Sequence, residues 1–185
     1  QFSERICVAK INATTGAVLW TFRSDLAAEY APGAIQFVGN ELYISWQHLY
    51  VGGGVHQIGV SKINTQTGVK IWESANEQVP NNYTEQSGVA MTVHNGLVYL
   101  TGYYSADNYG PGKWGVMALN AEDGAVVFRK QVPPTNVGVE GEKLSEGKAV
   151  FAKGDRIIVL GNAEKKDFAT WATWVEMDGQ NGNIL

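Results

Sequence analysis

The sequence predicts an all-β protein made of repeated sheets, each with four antiparallel strands. Three observations lead to this fold class: the composition, a segment that recurs four times, and a second segment that recurs between copies of the first. The 185 residues include 22 glycines, six tryptophans and eight tyrosines. Aromatic residues favour strands and glycine favours tight turns, so this composition is typical of many short strands.

The first repeat has the pattern of a β-hairpin. An apolar strand ends at Asn or Asp, and a glycine four residues later precedes a second apolar strand. Asn and Asp start turns through their own side chains, and glycine takes the positive φ that a tight hairpin needs. The turn glycines follow one another at intervals of 52, 56 and 58 residues: Gly16, Gly68, Gly124 and Gly182. The four copies read KINATTGAVLW from Lys10, KINTQTGVKIW from Lys62, ALNAEDGAVVF from Ala118 and EMDGQNGNIL from Glu176.

A second hairpin recurs out of phase with the first. Its leading strands are 33–38, 88–93 and 147–152, and its following strands are 41–45, 97–101 and 156–160. The two hairpins together give four antiparallel strands per unit. Apolar residues occupy both faces of these strands, which favours sheets stacked face to face as β-propeller blades. A β-sandwich or a solenoid is the alternative architecture.

We predict a single propeller arc over residues 1–185, with an incomplete ring in this chain. Residues 5–22 form the outer hairpin of a first blade. Residues 33–73 and 88–130 form two complete blades, and residues 147–185 form a truncated blade. The remainder of the ring is then expected outside this arc, because propellers usually have four to eight blades.

One further pattern begins with the segment VYLTGYY at 98–104. A variable loop follows it, then a strand, an Asn, a turn Gly and an apolar-Trp ending. This pattern resembles SBBP-type propeller repeats. The hairpin copies are also similar to PQQ-type propeller repeats, whose units share an LNA-x-TG-x-x-LW signature. The resemblance covers nearly the whole chain and implies a β-propeller. It does not select a function, since such propellers act as adhesion modules, assembly scaffolds and enzymes.

Composition excludes several function classes. The net charge of −4 disfavours nucleic acid as a partner, because phosphate binding needs a basic surface. No apolar run approaches the ~18 residues of a membrane-spanning helix. The only cysteine, Cys7, rules out an intrachain disulfide and a multi-cysteine zinc site. Because it lies in an apolar run, we expect a buried thiol.

The predicted binding surface is the long-loop face, the face that carries the loops 46–56, 103–114 and 162–171. Loops on a rigid scaffold commonly carry function, and these loops combine aromatic and polar side chains. Such side chains suit a protein or a glycan partner. The alternative is that the aromatic rings cap the blades and pack on one another. The candidate binding residues are Trp46, His48, Tyr50, Tyr103, Tyr104, Tyr109, Trp114 and Trp171.

The sequence shows no catalytic constellation, and we predict no cofactor and no metal. His48 and His56 lie near one another across three glycines, but no Cys, Asp or Glu cluster accompanies them. Asn82 and Asn12 begin N-glycosylation triplets, with Asn82 the better candidate because it lies in a linker. These triplets and the repeat type predict a glycoprotein of the secretory pathway, located extracellularly or at the cell surface.

The function predicted from sequence is a non-catalytic propeller module that binds a protein or glycan partner. One alternative is a structural module of a filament or multi-propeller array, which contacts other copies of itself or the remainder of the same propeller. A second alternative, implied by the PQQ-type resemblance, is part of a PQQ-dependent dehydrogenase. The adjacent cysteine pair of the alcohol dehydrogenases in that family is absent, since the chain has one cysteine.

Overall fold

The computed structural model describes residues 5–24, 29–49, 57–74, 85–105, 113–132, 144–164 and 170–185. Within these ranges the chain forms thirteen strands and no helix, which confirms the predicted all-β class. The strands are β1 (Cys7–Ile11), β2 (Val18–Arg23), β3 (Glu29–Val38), β4 (Glu41–Leu49), β5 (Gln57–Asn64), β6 (Lys70–Glu73), β7 (Glu85–His94), β8 (Leu97–Ser105), β9 (Lys113–Asn120), β10 (Val126–Gln131), β11 (Leu144–Lys153), β12 (Arg156–Glu164) and β13 (Thr170–Asp178).

The strands form four antiparallel sheets, each ordered along the chain. Sheet I contains β1 and β2, sheet II contains β3 to β6, sheet III contains β7 to β10, and sheet IV contains β11 to β13. A further antiparallel bridge joins Met177 to Ile184 next to β13. Sheets II and III are the four-stranded blades that the repeat predicts.

The repeated hairpin turns follow the predicted chemistry. The Oδ1 atom of Asn12 accepts hydrogen bonds from the amides of Thr14 and Thr15, at 2.9 and 3.0 Å. Asn64 and Asp178 make the same pair of bonds two and three residues ahead. The glycine that closes each turn has φ between 70° and 78°, which L side chains adopt at a cost. These glycines are Gly16, Gly68, Gly124 and Gly182.

The core lies between consecutive sheets, so both faces of an inner sheet are buried. In β9, Met117 and Leu119 pack in the cluster shared with sheet II, whereas Val116 and Ala118 pack in the cluster shared with sheet IV. All four of these side chains are buried. The hydrophobic effect therefore selects apolar residues at every position of β9, which explains why its sequence does not alternate.

A repeated aromatic contact joins each sheet to the next. A ring on the last strand of one sheet covers the turn glycine of the following sheet. A Cβ on that glycine would lie 2.6–2.8 Å from the ring, which leaves no space for a side chain. Glycine is therefore required for two reasons, the positive φ and the close contact with the ring. The three pairs are Trp20 with Gly68, Trp72 with Gly124, and Phe128 with Gly182.

The same junctions carry hydrogen bonds to one carbonyl of the following turn. The Thr65 carbonyl accepts from Trp20 Nε1 at 2.9 Å and from Lys10 Nζ at 3.0 Å. The Ala121 carbonyl accepts from Trp72 Nε1 and Lys62 Nζ, at 3.1 and 2.9 Å. Both lone pairs of these carbonyls are thereby used between sheets, which fixes the position of each turn on the preceding sheet.

The outer faces of the first and last sheets differ from the inner junctions. Val60 and Val116 are fully buried, whereas Trp174 at the equivalent position of sheet IV is 55% exposed. Ile63 and Leu119 are fully buried, whereas the equivalent Ile11 of sheet I is 57% exposed. In the described part of the chain the sheets therefore stack as an arc whose two outer faces are exposed.

Sheet I leaves part of sheet II uncovered, because it supplies only two strands. Ile35 and Phe37 of β3 are exposed and border an apolar cavity of about 420 Å³ between the two sheets. Cys7 lies on the opposite face of β1 and is exposed. The prediction of a buried thiol was wrong, because it assumed that both faces of this hairpin are covered.

Candidate functional site

The short turns of the sheets lie together on one face of the arc. Within sheets II and III, the amides of Thr65 and Ala121 donate to the carbonyls of Asn40 and Gly96, which joins the two turns of each sheet. Between sheets III and IV, Asn95 Nδ2 donates to the Gly154 carbonyl at 3.1 Å. We call this the short-turn face. Because the strands are antiparallel, β4, β8 and β12 end at the opposite face, where the long connections begin.

The strand register brings part of the predicted binding set to one level of that opposite face. His48 of β4 and Tyr104 of β8 occupy equivalent positions. Ala163 of β12 is at the same level and pairs with Trp171 of β13. Tyr103 precedes Tyr104 in β8. The structure describes only the backbone of His48, Tyr103, Tyr104 and Trp171, so their role in binding stays a prediction.

Two of the predicted binding residues lie inside the sheets. Trp46 and Trp114 belong to β4 and β9, and both are fully buried. Their indole Nε1 atoms donate to Ser61 Oγ at 3.1 Å and to Thr101 Oγ1 at 2.9 Å. This is the packing that the alternative interpretation of the aromatic residues describes. A binding role for these two side chains stays a prediction.

The remaining predicted positions divide between a turn and undescribed segments. Asn12 starts the first hairpin turn, and its side-chain oxygen is used in that turn. Tyr50, Tyr109 and Asn82 lie outside the described residues. Glycosylation at either asparagine therefore stays a prediction.

A site that the sequence did not predict lies on the short-turn face between sheets II and III. We call it the Lys62 cleft, a cavity of about 460 Å³. It is within the 300–1,000 Å³ range typical of ligand pockets. Its lining includes Val38, Glu41, Tyr43, Lys62, Val93 and Glu122.

An ion pair holds the carboxylate of Glu41 at this cleft. Lys62 Nζ lies 2.7 Å from Glu41 Oε1, and the Tyr43 hydroxyl donates to Glu41 Oε2 at 2.9 Å. Lys62 and Tyr43 are buried, whereas the Glu41 side chain is 37% exposed. The ammonium group of Lys62 also lies 5.4 Å from the centre of the Tyr43 ring. The buried partners thus fix a carboxylate that solvent still reaches.

These contacts shift the pKa values of both acids in the cleft. Burial alone would raise the pKa of Glu41, but hydrogen bonds from Lys62 and Tyr43 and the charge of Lys62 outweigh it, so its pKa is lowered. Burial, together with the hydrogen bond to Glu41 and the charge of that carboxylate, raises the pKa of Tyr43. Glu41 is therefore ionised and Tyr43 is neutral at neutral pH.

The pKa of Glu41 predicts acid sensitivity. A carboxyl whose pKa is lower in the folded state stabilises the protein above its unfolded pKa, ordinarily about 4.5. That contribution is lost as the pH falls through the lower folded value. We expect the free energy of unfolding to fall more steeply below about pH 4.5 in the wild type than in Glu41→Gln. Urea unfolding at a series of pH values measures this, and parallel curves would contradict it.

The next junction shows that the repeat does not need this ion pair. Leu97 and Ala118 occupy the positions of Glu41 and Lys62 between sheets III and IV, and both are buried. Lys10 repeats the carbonyl contact of Lys62 in sheet I. Sheet IV has a polar pair again, since Arg156 Nη1 lies 2.7 Å from Glu176 Oε1 at the equivalent positions. Sheet III is therefore the copy with apolar residues at both positions. This difference between copies is the signal by which the sequence could have indicated the cleft.

We predict that removing one partner of the ion pair lowers the stability more than replacing both partners by apolar residues. Lys62→Met leaves Glu41 without its cation and removes one bond to the Ala121 carbonyl, so we expect a loss of about 1–3 kcal/mol. The double variant Glu41→Leu/Lys62→Met reproduces an apolar junction and is expected to recover most of that loss. Urea denaturation of the two variants tests this. A double variant that is less stable than Lys62→Met would contradict it.

The described residues show neither a metal-binding group nor a membrane helix. No set of three His, Cys, Asp or Glu in these ranges is placed to hold a metal ion. Nor does this part of the chain contain a helix long and apolar enough to cross a membrane.

Face-to-face four-stranded sheets with a repeated aromatic-glycine junction define the class of β-propeller repeat proteins. The family model described as "Outer membrane protein assembly factor BamB" matches residues 4–185, and the chain belongs to this family. The predicted PQQ-type repeat is thereby confirmed.

Solved structures show the same fold at low sequence identity. The quinohemoprotein alcohol dehydrogenase of Comamonas testosteroni matches with a TM-score of 0.63 and 13% identity, over 97% of this chain and 31% of that protein. A thermostable family-43 glycoside hydrolase matches with a TM-score of 0.51 and 14% identity, over 84% of this chain and 57% of that enzyme. The chain thus spans less than two thirds of either protein. No curated protein matches it.

Proposed function

We propose that this chain is a non-catalytic propeller module that binds a partner protein through its long-loop face. The observation that carries this proposal is the common level of His48, Tyr104 and Trp171 at the ends of three consecutive sheets. Aromatic residues on rigid strands supply large contact area at low conformational cost.

The rigidity of the scaffold supports this role. Each turn on the short-turn face is bonded within its sheet, and the junction carbonyls of Thr65 and Ala121 each accept two hydrogen bonds from the preceding sheet. Strands held in this way present their opposite ends in fixed relative positions. Such preorganisation lowers the entropy that a binding surface loses on association.

The family description supports a protein as the partner rather than a glycan. An outer membrane protein assembly factor acts on other proteins. We therefore propose that the partner is an outer membrane protein or a component of the machinery that assembles it. Export from the cytoplasm, to the cell surface or the extracellular space, is part of this proposal, as is glycosylation of Asn82. Intact mass before and after enzymatic deglycosylation tests the modification.

Binding to a defined probe tests the proposal. The probe is an outer membrane protein diluted from urea, measured by surface plasmon resonance against the immobilised chain, with a glycan array in parallel. We expect the triple variant His48→Ala/Tyr104→Ala/Trp171→Ala to weaken protein binding by about tenfold or more, as loss of aromatic anchors does. Leu19→Ala is the matched control, because Leu19 is exposed on β2 in the first sheet.

The outcomes separate the alternatives. Loss of binding in the triple variant with an unchanged circular dichroism spectrum, and full binding by Leu19→Ala, supports the long-loop face. Equal binding by the wild type and the triple variant contradicts it. Binding to glycans alone would replace the protein partner with a carbohydrate one.

The dehydrogenase alternative rests on the fold likeness to the quinohemoprotein enzyme. That likeness, at 13% identity over 31% of the enzyme, shows the fold alone. We assign no residue of this chain to a quinone or to catalysis. Reduction of a redox dye on addition of PQQ and calcium would overturn the non-catalytic proposal.

A further inference from the structure

We propose that the Lys62 cleft binds an arginine side chain of a partner protein. This inference goes beyond the function proposed above, because the cleft lies on the short-turn face and shares no residue with the long-loop face. It follows from the volume of the cleft, the acceptors around it and its apolar lining.

The cleft presents hydrogen-bond acceptors. A carboxylate accepts about four hydrogen bonds, and Glu41 uses one on Lys62 and one on Tyr43. Its partly exposed side chain leaves the other lone pairs accessible to a ligand. Glu122 adds a second, exposed carboxylate to the lining. His94 also lines the cleft, and its Nε2 donates to the Gly154 carbonyl at 2.9 Å.

The charges and the apolar lining favour arginine over other ligands. Lys62 is buried and balances Glu41, so Glu122 leaves the cleft with a net negative charge. Val38 and Val93 offer apolar surface for an aliphatic stem. A guanidinium group has a planar array of donors that matches a carboxylate in two parallel hydrogen bonds. A partner anion would instead meet two carboxylates.

The copies of the repeat differ at the positions of Glu41 and Lys62, and sheet IV carries the ion pair Arg156–Glu176 there. The junction between sheets III and IV buries Leu97 and Ala118 at the same positions. A buried ion pair is often no more stabilising than well-packed apolar residues of similar volume. A fixed, solvent-accessible carboxylate, by contrast, is what a cation-binding cleft requires.

Titration of the whole chain with a short peptide tests the inference. The probe is a blocked pentapeptide with a central arginine between valines, followed by the ¹⁵N amide shifts of Asn95, Gly96 and Glu122. The matched peptide carries citrulline, which keeps the shape of arginine but has no charge. We expect the arginine peptide to bind about tenfold more tightly than the citrulline peptide, as charge-assisted bonds do.

Variants identify the groups that bind. The double variant Glu41→Gln/Glu122→Gln is expected to lower the affinity for the arginine peptide by about tenfold. Asp123→Asn is the control, because Asp123 is exposed on the same turn but does not line the cleft. Equal binding of both peptides, or an unchanged affinity in the double variant, would overturn the proposal. Tighter binding of a glutamate peptide would also overturn it, since Lys62 would then be the binding group.

The two proposals fail separately. The His48→Ala/Tyr104→Ala/Trp171→Ala variant leaves the cleft untouched, and Glu41→Gln/Glu122→Gln leaves the long-loop face untouched. If the arginine peptide does not bind while the outer membrane protein does, only the cleft proposal is lost. If the peptide binds and the triple variant still binds the outer membrane protein, only the long-loop face is lost.

Discussion

Trp72→Ala is expected to lower the free energy of unfolding by about 3–5 kcal/mol, the range for truncating a buried aromatic residue. The Trp72 side chain is buried between sheets II and III, and its ring centre lies 6.0 Å from that of Tyr43 in an edge-on arrangement. It covers Gly124 and donates to the Ala121 carbonyl at 3.1 Å. Truncation therefore removes an apolar contact, an aromatic pair and a hydrogen bond at once.

Trp72→Phe separates the ring from the hydrogen bond. Phe128 performs the same packing on Gly182 at the next junction without an N–H group. We therefore expect Trp72→Phe to retain most of the contact and to cost about 1–2 kcal/mol, mainly for the lost bond to Ala121. Urea denaturation followed by far-UV circular dichroism measures both variants.

The control for this prediction is another tryptophan in the same fold. Trp174 is 55% exposed on the outer face of sheet IV. We expect Trp174→Ala to change stability by less than about 1 kcal/mol, as exposed strand positions usually do. If Trp72→Ala costs no more than Trp174→Ala, the aromatic junction does not hold the sheets together.

The hairpin turns were predictable from the sequence because their chemistry is local. Asn12 and Gly16 lie four residues apart, and the bonds that define the turn join neighbours along the chain. The same signals recur in every copy. The sheets that these turns connect, and hence the fold class, followed from them and from the apolar strands between them.

The junctions were not predicted, because they depend on the register between sheets. Trp72 and Gly124 are 52 residues apart, and only the stacking of sheets II and III brings them together. The recurring aromatic residue at the end of each copy was visible in the sequence. Its partner was not, since a turn glycine is already explained by its own φ.

Unexpected burial explains why several residues were placed wrongly from the sequence. Trp46 and Trp114 were placed in loops, but β4 and β9 extend far enough to include them, and the cores of the sheets enclose their rings. Glu41 and Lys62 were passed over, because a charged residue in a strand is ordinarily solvent-exposed. Only the stacking of sheet III on sheet II shows that Lys62 is buried and paired.

Gly124→Ala is expected to destabilise the protein substantially more than Gly16→Ala, although the two glycines have nearly the same backbone. Their φ values are +78° and +71°, so each alanine meets about the same left-handed cost of 1–2 kcal/mol. A Cβ at Gly16 meets nothing within 4 Å, whereas one at Gly124 would lie 2.8 Å from Trp72 Cε3. Overpacking of this kind adds about 1–3 kcal/mol.

A double-mutant cycle shows whether the additional cost comes from the ring. In the Trp72→Ala background the methyl group that Gly124→Ala introduces has space, so this substitution should then cost no more than Gly16→Ala does in the wild type. The coupling energy between the two positions measures the contact between the Trp72 ring of sheet II and the turn of sheet III. A cost of Gly124→Ala that is the same with and without Trp72 would show that glycine is needed there for φ alone.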